Sequence, residues 1–318
     1  MIEVFTSING FIHLEEFDTT GDTSALENAI WINITKPTKE EIHWVESATQ
    51  LSIPDITEVN ELESSSHTSY HEDGLEVNSL FLQNRSDEII NTNVAMILND
   101  QIIISLSHLE PQELKTLKRL TLNKKLKLNT PREILLEIFE LKVDRLADTM
   151  ENTYSRLGAI SKPVLNGDEE DLEMVLSKLA KEDDIVGKVR LCIMDAQRDL
   201  HYLLKKKSQW NSEQLEVIQN LLSELTTLLP HNDFLSEKVD FLMNAALGFI
   251  TIQQNKIIKI FSIAAVVFLP PTLVASIYGM NFKFMPELSW VFGYPFAITL
   301  MIVAGIMPYL YFKHKGWL

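Results

Sequence analysis

The run 257–280, IIKIFSIAAVVFLPPTLVASIYGM, decides how this chain is built. Lys259 is its only charged residue, and its 24 positions match the roughly 20 that carry a helix across about 30 Å of hydrocarbon. A second run, 290–312 (WVFGYPFAITLMIVAGIMPYLYF), carries no charge. Both are therefore expected to cross a membrane, the first as TM1 (257–280) and the second as TM2 (290–312), joined by a short loop, 281–289. Lys256 and Lys259 flank the first span, and a basic tail of Lys313, His314 and Lys315 follows the second, so the positive-inside rule puts both termini in the cytoplasm. Two spans cannot enclose a water-filled path. Conduction would need several copies around an axis, whereas a mere anchor would need none.

Working upstream, no glycine-rich break interrupts the helical pattern. Asn211-Ser212 with Gln214 is a capping signal, and the stripe Leu215, Ile218, Leu222, Leu225 and Leu229 resumes beyond Pro230 as Leu235, Val239, Leu242, Ala246 and Phe249. One helix from Ser212 to Tyr278 is expected, about 100 Å long at 1.5 Å per residue, with 212–256 as a stalk below the membrane. Counting back from Thr272 in alternating threes and fours gives Leu269, Ala265, Ser262, Ile258, Asn255, Thr251, Gly248 and Asn244. A face of mostly small or uncharged polar groups is either a seam for close helix packing or the wall of a pore. Asn255 and Thr272 favour a cavity or a partner, because polar groups rarely face lipid. Pro270 and Pro271 free the carbonyls of Val266 and Val267 within the span.

The remainder is a different kind of polypeptide. Of the 318 residues, 1–256 hold 43 of the 44 acids and 24 of the 28 Lys and Arg, a net charge of −19, although mean hydropathy over the whole chain is +0.02. Such a body repels polyanions, so no nucleic-acid partner is expected. Cys192 is the lone cysteine, which excludes an intrachain disulfide. Met1 to Asn9 carries no basic segment followed by a long apolar core, so the body is expected to face the cytoplasm. Residues 1–130 read as an α/β domain with a mixed sheet. Short β-rich runs occur at 2–5, 11–17, 29–34, 75–83, 93–98 and 102–106, with helical patterns near 38–51, 56–62 and 111–120. Residues 131–211 read as a helical hairpin. Thr130-Pro131-Arg132-Glu133 opens its first helix, Lys162-Pro163 is expected to end it, and the second arm runs from about Gly167-Asp168 to Lys207. The fold class is thus an α+β membrane protein with a cytoplasmic α/β domain, hairpin, stalk and two spans (257–318 with the tail). With no glycine-rich phosphate loop and no nucleophile–base pair, neither a nucleotide partner nor enzyme activity is expected.

At the outer end of the first span stands Tyr278-Gly279-Met280-Asn281-Phe282, followed by Met285-Pro286-Glu287-Leu288. Gly-Met-Asn where a transmembrane helix ends, with a second span close behind and an acidic body in front, resembles the CorA family of magnesium channels. The resemblance continues through Gln254-Asn255-Lys256-Ile257-Ile258-Lys259-Ile260-Phe261, Phe268-Leu269-Pro270-Pro271-Thr272, Phe292-Gly293-Tyr294-Pro295 and Leu228-Leu229-Pro230-His231-Asn232, and is greatest to the family's Gram-negative members.

The resemblance implies a homopentamer in the bacterial inner membrane, admitting Mg²⁺, and also Co²⁺ and Ni²⁺, under the membrane potential. Gly279, Met280 and Asn281 would form the selectivity filter; Asn244, Thr251, Asn255 and Thr272 would line the pore, with Ile258, Phe261 and Leu269 as apolar gates. Lys283 and Glu287 lie in the outer loop, where many members carry an acid at the position of Lys283. Cytoplasmic Mg²⁺ would close the pore from acidic sites such as Glu72 and Asp73, whose expected stalk partner falls near Asn220. The chemistry is compatible. Mg²⁺ sheds water reluctantly and prefers oxygen, so amide and hydroxyl groups can hold the hydrated ion, and the predicted line contains no carboxylate. Within the same fold a zinc transporter is the alternative; outside it, a membrane-anchored oligomeric scaffold. His67 and His71, four apart, would suit a transition metal only on a helix, and their Ser-rich surroundings suggest a loop.

Overall fold

The computed structural model describes residues 1–8, 11–15, 26, 28–54, 68–71, 74–85, 88–166, 172–281 and 283–316. The chain divides into two compact units, Met1–Met243 and Asn244–Leu318. The first is built on a seven-stranded mixed sheet of β1 (Ile2–Ile8), β2 (Phe11–Glu15), β3 (Ala29–Thr35), β4 (Thr68–His71), β5 (Gly74–Arg85), β6 (Glu88–Leu98) and β7 (Ile103–Ser107). Its spatial order is β2-β1-β3-β7-β6-β5-β4. Only the central β3–β7 pair is parallel, with Ile32 opposite Ile104 and Ile34 opposite Leu106. Those two strands are buried on both faces, as a covered parallel pair must be.

Alternation sends Ile32, Ile34, Ile104 and Leu106 into one layer with Val45, Ile42 and Ala48 of α1 (Lys39–Thr49). A reciprocal Thr38–Glu41 capping box starts that helix. Trp31 and Asn33 point to the other face. There Trp31 Nε1 donates to Ser105 Oγ at 2.9 Å and Ser105 Oγ donates to Asn33 Oδ1 at 2.8 Å. The turn expected at Asn99-Asp100-Gln101 is present: Asn99 Oδ1 accepts from the backbone N–H groups of Gln101 and Ile102, both at 2.9 Å, between β6 and β7.

Five further helices follow: α2 (Gln112–Leu122), α3 (Pro131–Asn166), α4 (Leu172–Lys205), α5 (Ser212–Tyr278) and α6 (Gly293–His314). Thr130 Oγ1 accepts from Glu133 N–H at the start of α3. Contrary to the expected stop at Lys162-Pro163, α3 continues to Asn166 with Pro163 inside it. One proline removes one hydrogen bond, and fully buried Val164 anchors the final turn against that loss. The expected helix near 56–62 and the residues around Asp168 lie outside the described residues. Strand β4 was not foreseen.

Helix α5 is continuous over the expected 67 residues. Asn211 and Gln214 cap it reciprocally, Gln214 N–H to Asn211 Oδ1 at 2.8 Å and Asn211 N–H to Gln214 Oε1 at 3.1 Å. Within the first unit it packs on the hairpin through Tyr154 and Phe234, 6.5 Å between ring centres, and an Arg190–Asp233 ion pair of 2.6 Å. Both α5 and α6 are long and apolar enough to cross a membrane. The second begins at Gly293 rather than at Trp290, because Pro286–Ser289 forms a single 3-10 turn ahead of it.

Candidate functional site

In the unit Asn244–Leu318, α6 folds back along α5. Val267, Phe268 and Pro271 share an apolar groove with Ile302, Gly305 and Tyr309. A Cβ at Gly305 would sit 3.2 Å from Pro271 Cγ and 3.6 Å from the Val267 carbonyl oxygen. The helices approach there because residue 305 has no side chain. Ile263, Ala264, Val267, Pro270, Pro271, Val274 and Tyr278 are the partly covered residues along this face of α5.

The small-and-polar line lies elsewhere. At 3.6 residues per turn, Asn244, Gly248, Thr251, Asn255, Ile258, Ser262, Ala265, Leu269 and Thr272 centre about 180° around α5 from the face that α6 covers. All nine are exposed in the single chain, Ile258 at 61% and Leu269 at 66%. Close packing against the chain's own second span is therefore not what this line serves. Phe261, 70% exposed, stands to one side of it.

The threonines on the line present a defined chemistry. Thr272 Oγ1 donates to Phe268 O at 2.7 Å and Thr251 Oγ1 donates to Leu247 O at 2.9 Å. With each hydroxyl proton used inside the helix, the oxygen offers lone pairs outward. The line presents acceptors without negative charge.

At the end of α5, Gly279 N–H donates to Ala275 O at 2.9 Å and Met280 N–H to Ile277 O at 3.2 Å, which tightens the last turn. Asn281 follows, exposed beside the helix C-terminus, where the macrodipole is equivalent to about −0.5 charge and favours cations. Gly279, Met280 and Asn281 are thus brought to one helix end. Lys283 and Glu287 are exposed in the following loop. The loop closes on Gly293: a Cβ there would lie 2.1 Å from the Glu287 carbonyl oxygen. Trp290 packs against Phe292 and Phe296 at 6.3 and 5.9 Å between ring centres.

Glu72 and Asp73 lie outside the described residues, as does His67, while His71 ends strand β4 rather than lying on a helix. Asn220 is exposed on α5. Among the described residues, no group of three His, Cys, Asp or Glu side chains is placed to hold a metal ion. Two features escaped the sequence: the Gly305–Pro271 contact and the Gly293–Glu287 closure. The signal available for both was a glycine inside an apolar run, too common in membrane helices to single out.

Comparison with known proteins accords with this arrangement. Residues 27–314 match the family model described as CorA-like Mg²⁺ transporter protein. The chain is 43% identical over 320 residues to the magnesium transport protein CorA of Yersinia pestis, covering all of both chains. It is 44% identical over 299 residues to that of Escherichia coli K12, covering 93% of this chain and 94% of the other. The solved structure of the CorA magnesium transporter from Methanocaldococcus jannaschii superposes with a TM-score of 0.79 at 18% identity, over 100% of this chain and 99% of that one. A mixed-sheet body, one long helix ending in Gly-Met-Asn, a short loop and a second apolar span therefore have one family explanation: the chain belongs to the CorA-like Mg²⁺ transporters.

Proposed function

We propose that this protein is a Mg²⁺ channel of the bacterial inner membrane, assembled as a homopentamer in which the line from Asn244 to Thr272 faces the common axis. The observation that carries this reading is the position of that line, about 180° from the face α6 occupies and exposed along its whole length. Other copies of α5 are the partners that complete it. Asn281, with the Gly279 and Met280 backbone, meets the hydrated ion at the outer mouth. Asn255, Thr251, Thr272 and Asn244 offer oxygen along the path, and Ile258, Leu269 and Phe261 close it by excluding water. Co²⁺ and Ni²⁺, whose hydrated ions resemble that of Mg²⁺, follow the same route.

Entry is downhill: two charges moving through an inside-negative potential gain about 4.6 kcal/mol per 100 mV. No nucleotide is required. Both termini lie in the cytoplasm, where the acidic body, through Glu72 and Asp73, binds Mg²⁺ and favours the closed state.

Purified protein in liposomes tests this. Mg²⁺ influx that depends on potential and is abolished by Asn281→Ala supports the channel. Zn²⁺ flux without Mg²⁺ flux would make it a zinc transporter, and no divalent flux from the wild type would leave a scaffold.

A further inference from the structure

Away from the transport path, α4 buries two carboxylates side by side against the sheet. Asp195 and Asp199 are 8% and 0% exposed, and both approach Ser79 of β5, itself fully buried. Ser79 Oγ lies 3.0 Å from Asp195 Oδ2 and 2.6 Å from Asp199 Oδ2. Lys142 Nζ, from α3, donates to the same Ser79 oxygen at 2.7 Å and to Asp195 Oδ2 at 3.3 Å. Thr68 Oγ1, from the edge strand β4, donates to Asp199 Oδ1 at 2.7 Å. Leu80 N–H donates to Asp195 Oδ2 at 2.7 Å, and Arg198 reaches Asp195 Oδ1 at 2.6 Å from the exposed side.

The protons do not balance if both carboxyls are ionised. A serine hydroxyl has one proton and two lone-pair positions. Ser79 accepts from Lys142, so its own proton serves one carboxylate, and the other short contact needs a proton from the carboxyl side. Asp195 has direct bonds from Lys142, Arg198 and a backbone N–H to stabilise its charge; among the described residues the hydrogen bonds of Asp199 are with hydroxyls only. We infer that Asp199 is a neutral carboxylic acid that donates to Ser79 Oγ, and that its ionisation acts as a pH-sensitive latch between the β4–β5 hairpin and α4.

Charge counting agrees. With Asp199 neutral, the buried Lys142 and Asp195 balance; ionising Asp199 adds a second buried anion next to Asp195, while the second cation, Arg198, is half exposed and bonded to Asp195 rather than to Asp199. Burial, then the Asp195 charge, push Asp199 up to about 7, against the lowering influence of Lys142, Ser79 and Thr68. Asp195 is held below the ordinary range despite its burial, by Lys142, the Leu80 N–H and Arg198. Among the described residues, the charged groups facing Asp199 are Asp195 on its own helix and Lys142 on α3; β4 and β5 contribute the uncharged Thr68 and Ser79. Above neutral pH the single Ser79 proton can serve only one of the two carboxylates, so one of the two short contacts is lost and the hairpin loosens from α4.

Infrared difference titration of the full chain in lipid nanodiscs tests the proton directly. Glu113 and Glu137, also raised to about 7, contribute to the same protonated-carboxyl band, so Asp199 is read from wild type minus Asp199→Asn. One carboxyl with a midpoint near pH 7 is expected in that difference. A midpoint in the ordinary carboxylate range, or no difference band, overturns the inference. Thr68→Val, at the sheet edge, removes a donor that favours the ionised form and must move the midpoint up; an unmoved or lowered midpoint counts against it, even if Asp199→Asn fails to fold. Hydrogen exchange of the β4–β5 amides, corrected for intrinsic rate, should be several-fold faster at about pH 8 than at pH 6 in wild type and pH-independent in Asp199→Asn. Equal protection at both pH values in wild type would refute the latch.

Discussion

If α5 presents the Asn244–Thr272 line to water and its opposite face to α6, single cysteines along the helix should report the difference. Cys192 supplies a silent background. It is fully buried, and burial pushes its thiol up to about 12 from an ordinary value near 9, which lowers the thiolate fraction at neutral pH about a thousandfold. A water-soluble thiol reagent attacks the thiolate. Asn255→Cys, Ser262→Cys and Thr272→Cys in the assembled protein should therefore react about a thousandfold faster than Cys192. Val267→Cys and Val274→Cys, under α6, should stay near background. Reaction rate plotted against position should peak every three to four residues, in phase with Thr272. The assay is stopped-time labelling in liposomes, read by mass shift, with Mg²⁺ added or withheld. Peaks in phase with Val267 and Val274, or uniform protection of the line with and without Mg²⁺, would refute the pore assignment and return the line to helix packing between copies.

Three other outcomes follow from the coordinates. Gly293→Ala places a Cβ 2.1 Å from a backbone oxygen, so the Pro286–Gly293 turn must shift; a loss of about 1–3 kcal/mol is expected, seen as a lower unfolding midpoint in detergent. Glu113 is 4% exposed and burial pushes it up to about 7, so the folded state binds a proton that the unfolded state releases near pH 4.5. Stability should fall between those pH values by at most about 3 kcal/mol on this account, and Glu113→Gln should remove that part of the slope in denaturant titrations. Lys283→Glu, in the exposed loop, should raise Mg²⁺ uptake at limiting concentration and low ionic strength, with the gain shrinking as salt shortens the Debye length to about 10 Å at 0.1 M; unchanged uptake would show that the loop does not recruit ions.

The parts legible in the sequence were those with local causes. Helix α5 announced its start through the Asn211–Gln214 cap and its end through Gly279, and a stripe of leucines ran between them. The central strands were legible because β3 and β7 are short runs dominated by isoleucine and buried on both faces. Strand β4, Thr-Ser-Tyr-His, is polar throughout and has no period to read; it exists because β5 offers an edge to pair with. The Lys142–Asp195–Asp199–Ser79 cluster was invisible for another reason. Its hydroxyl and carboxylates lie 116 and 120 residues apart in sequence, and an isolated Lys or Asp on a helix reads as a solvated surface group.

The electrostatics of the mouth follow from adding the loop to the helix end. Lys283 and Glu287 cancel within each chain, so the loop would contribute no net charge to the proposed pentamer. What remains is the C-terminal end of α5, equivalent to about −0.5 charge per helix and so about −2.5 for five around one axis. That field attracts a divalent ion without offering it a carboxylate to bind. A ring of five acids at Asn281 would hold Mg²⁺ far more tightly and slow its release, since conduction requires sites weak enough to leave. In the proposed pore, amide and hydroxyl oxygens at Asn281, Thr272, Asn255 and Thr251 would keep each site weak. In the same proposal the carboxylates that could bind Mg²⁺ strongly are kept in the body, where slow release would suit a sensor and cost the flux nothing.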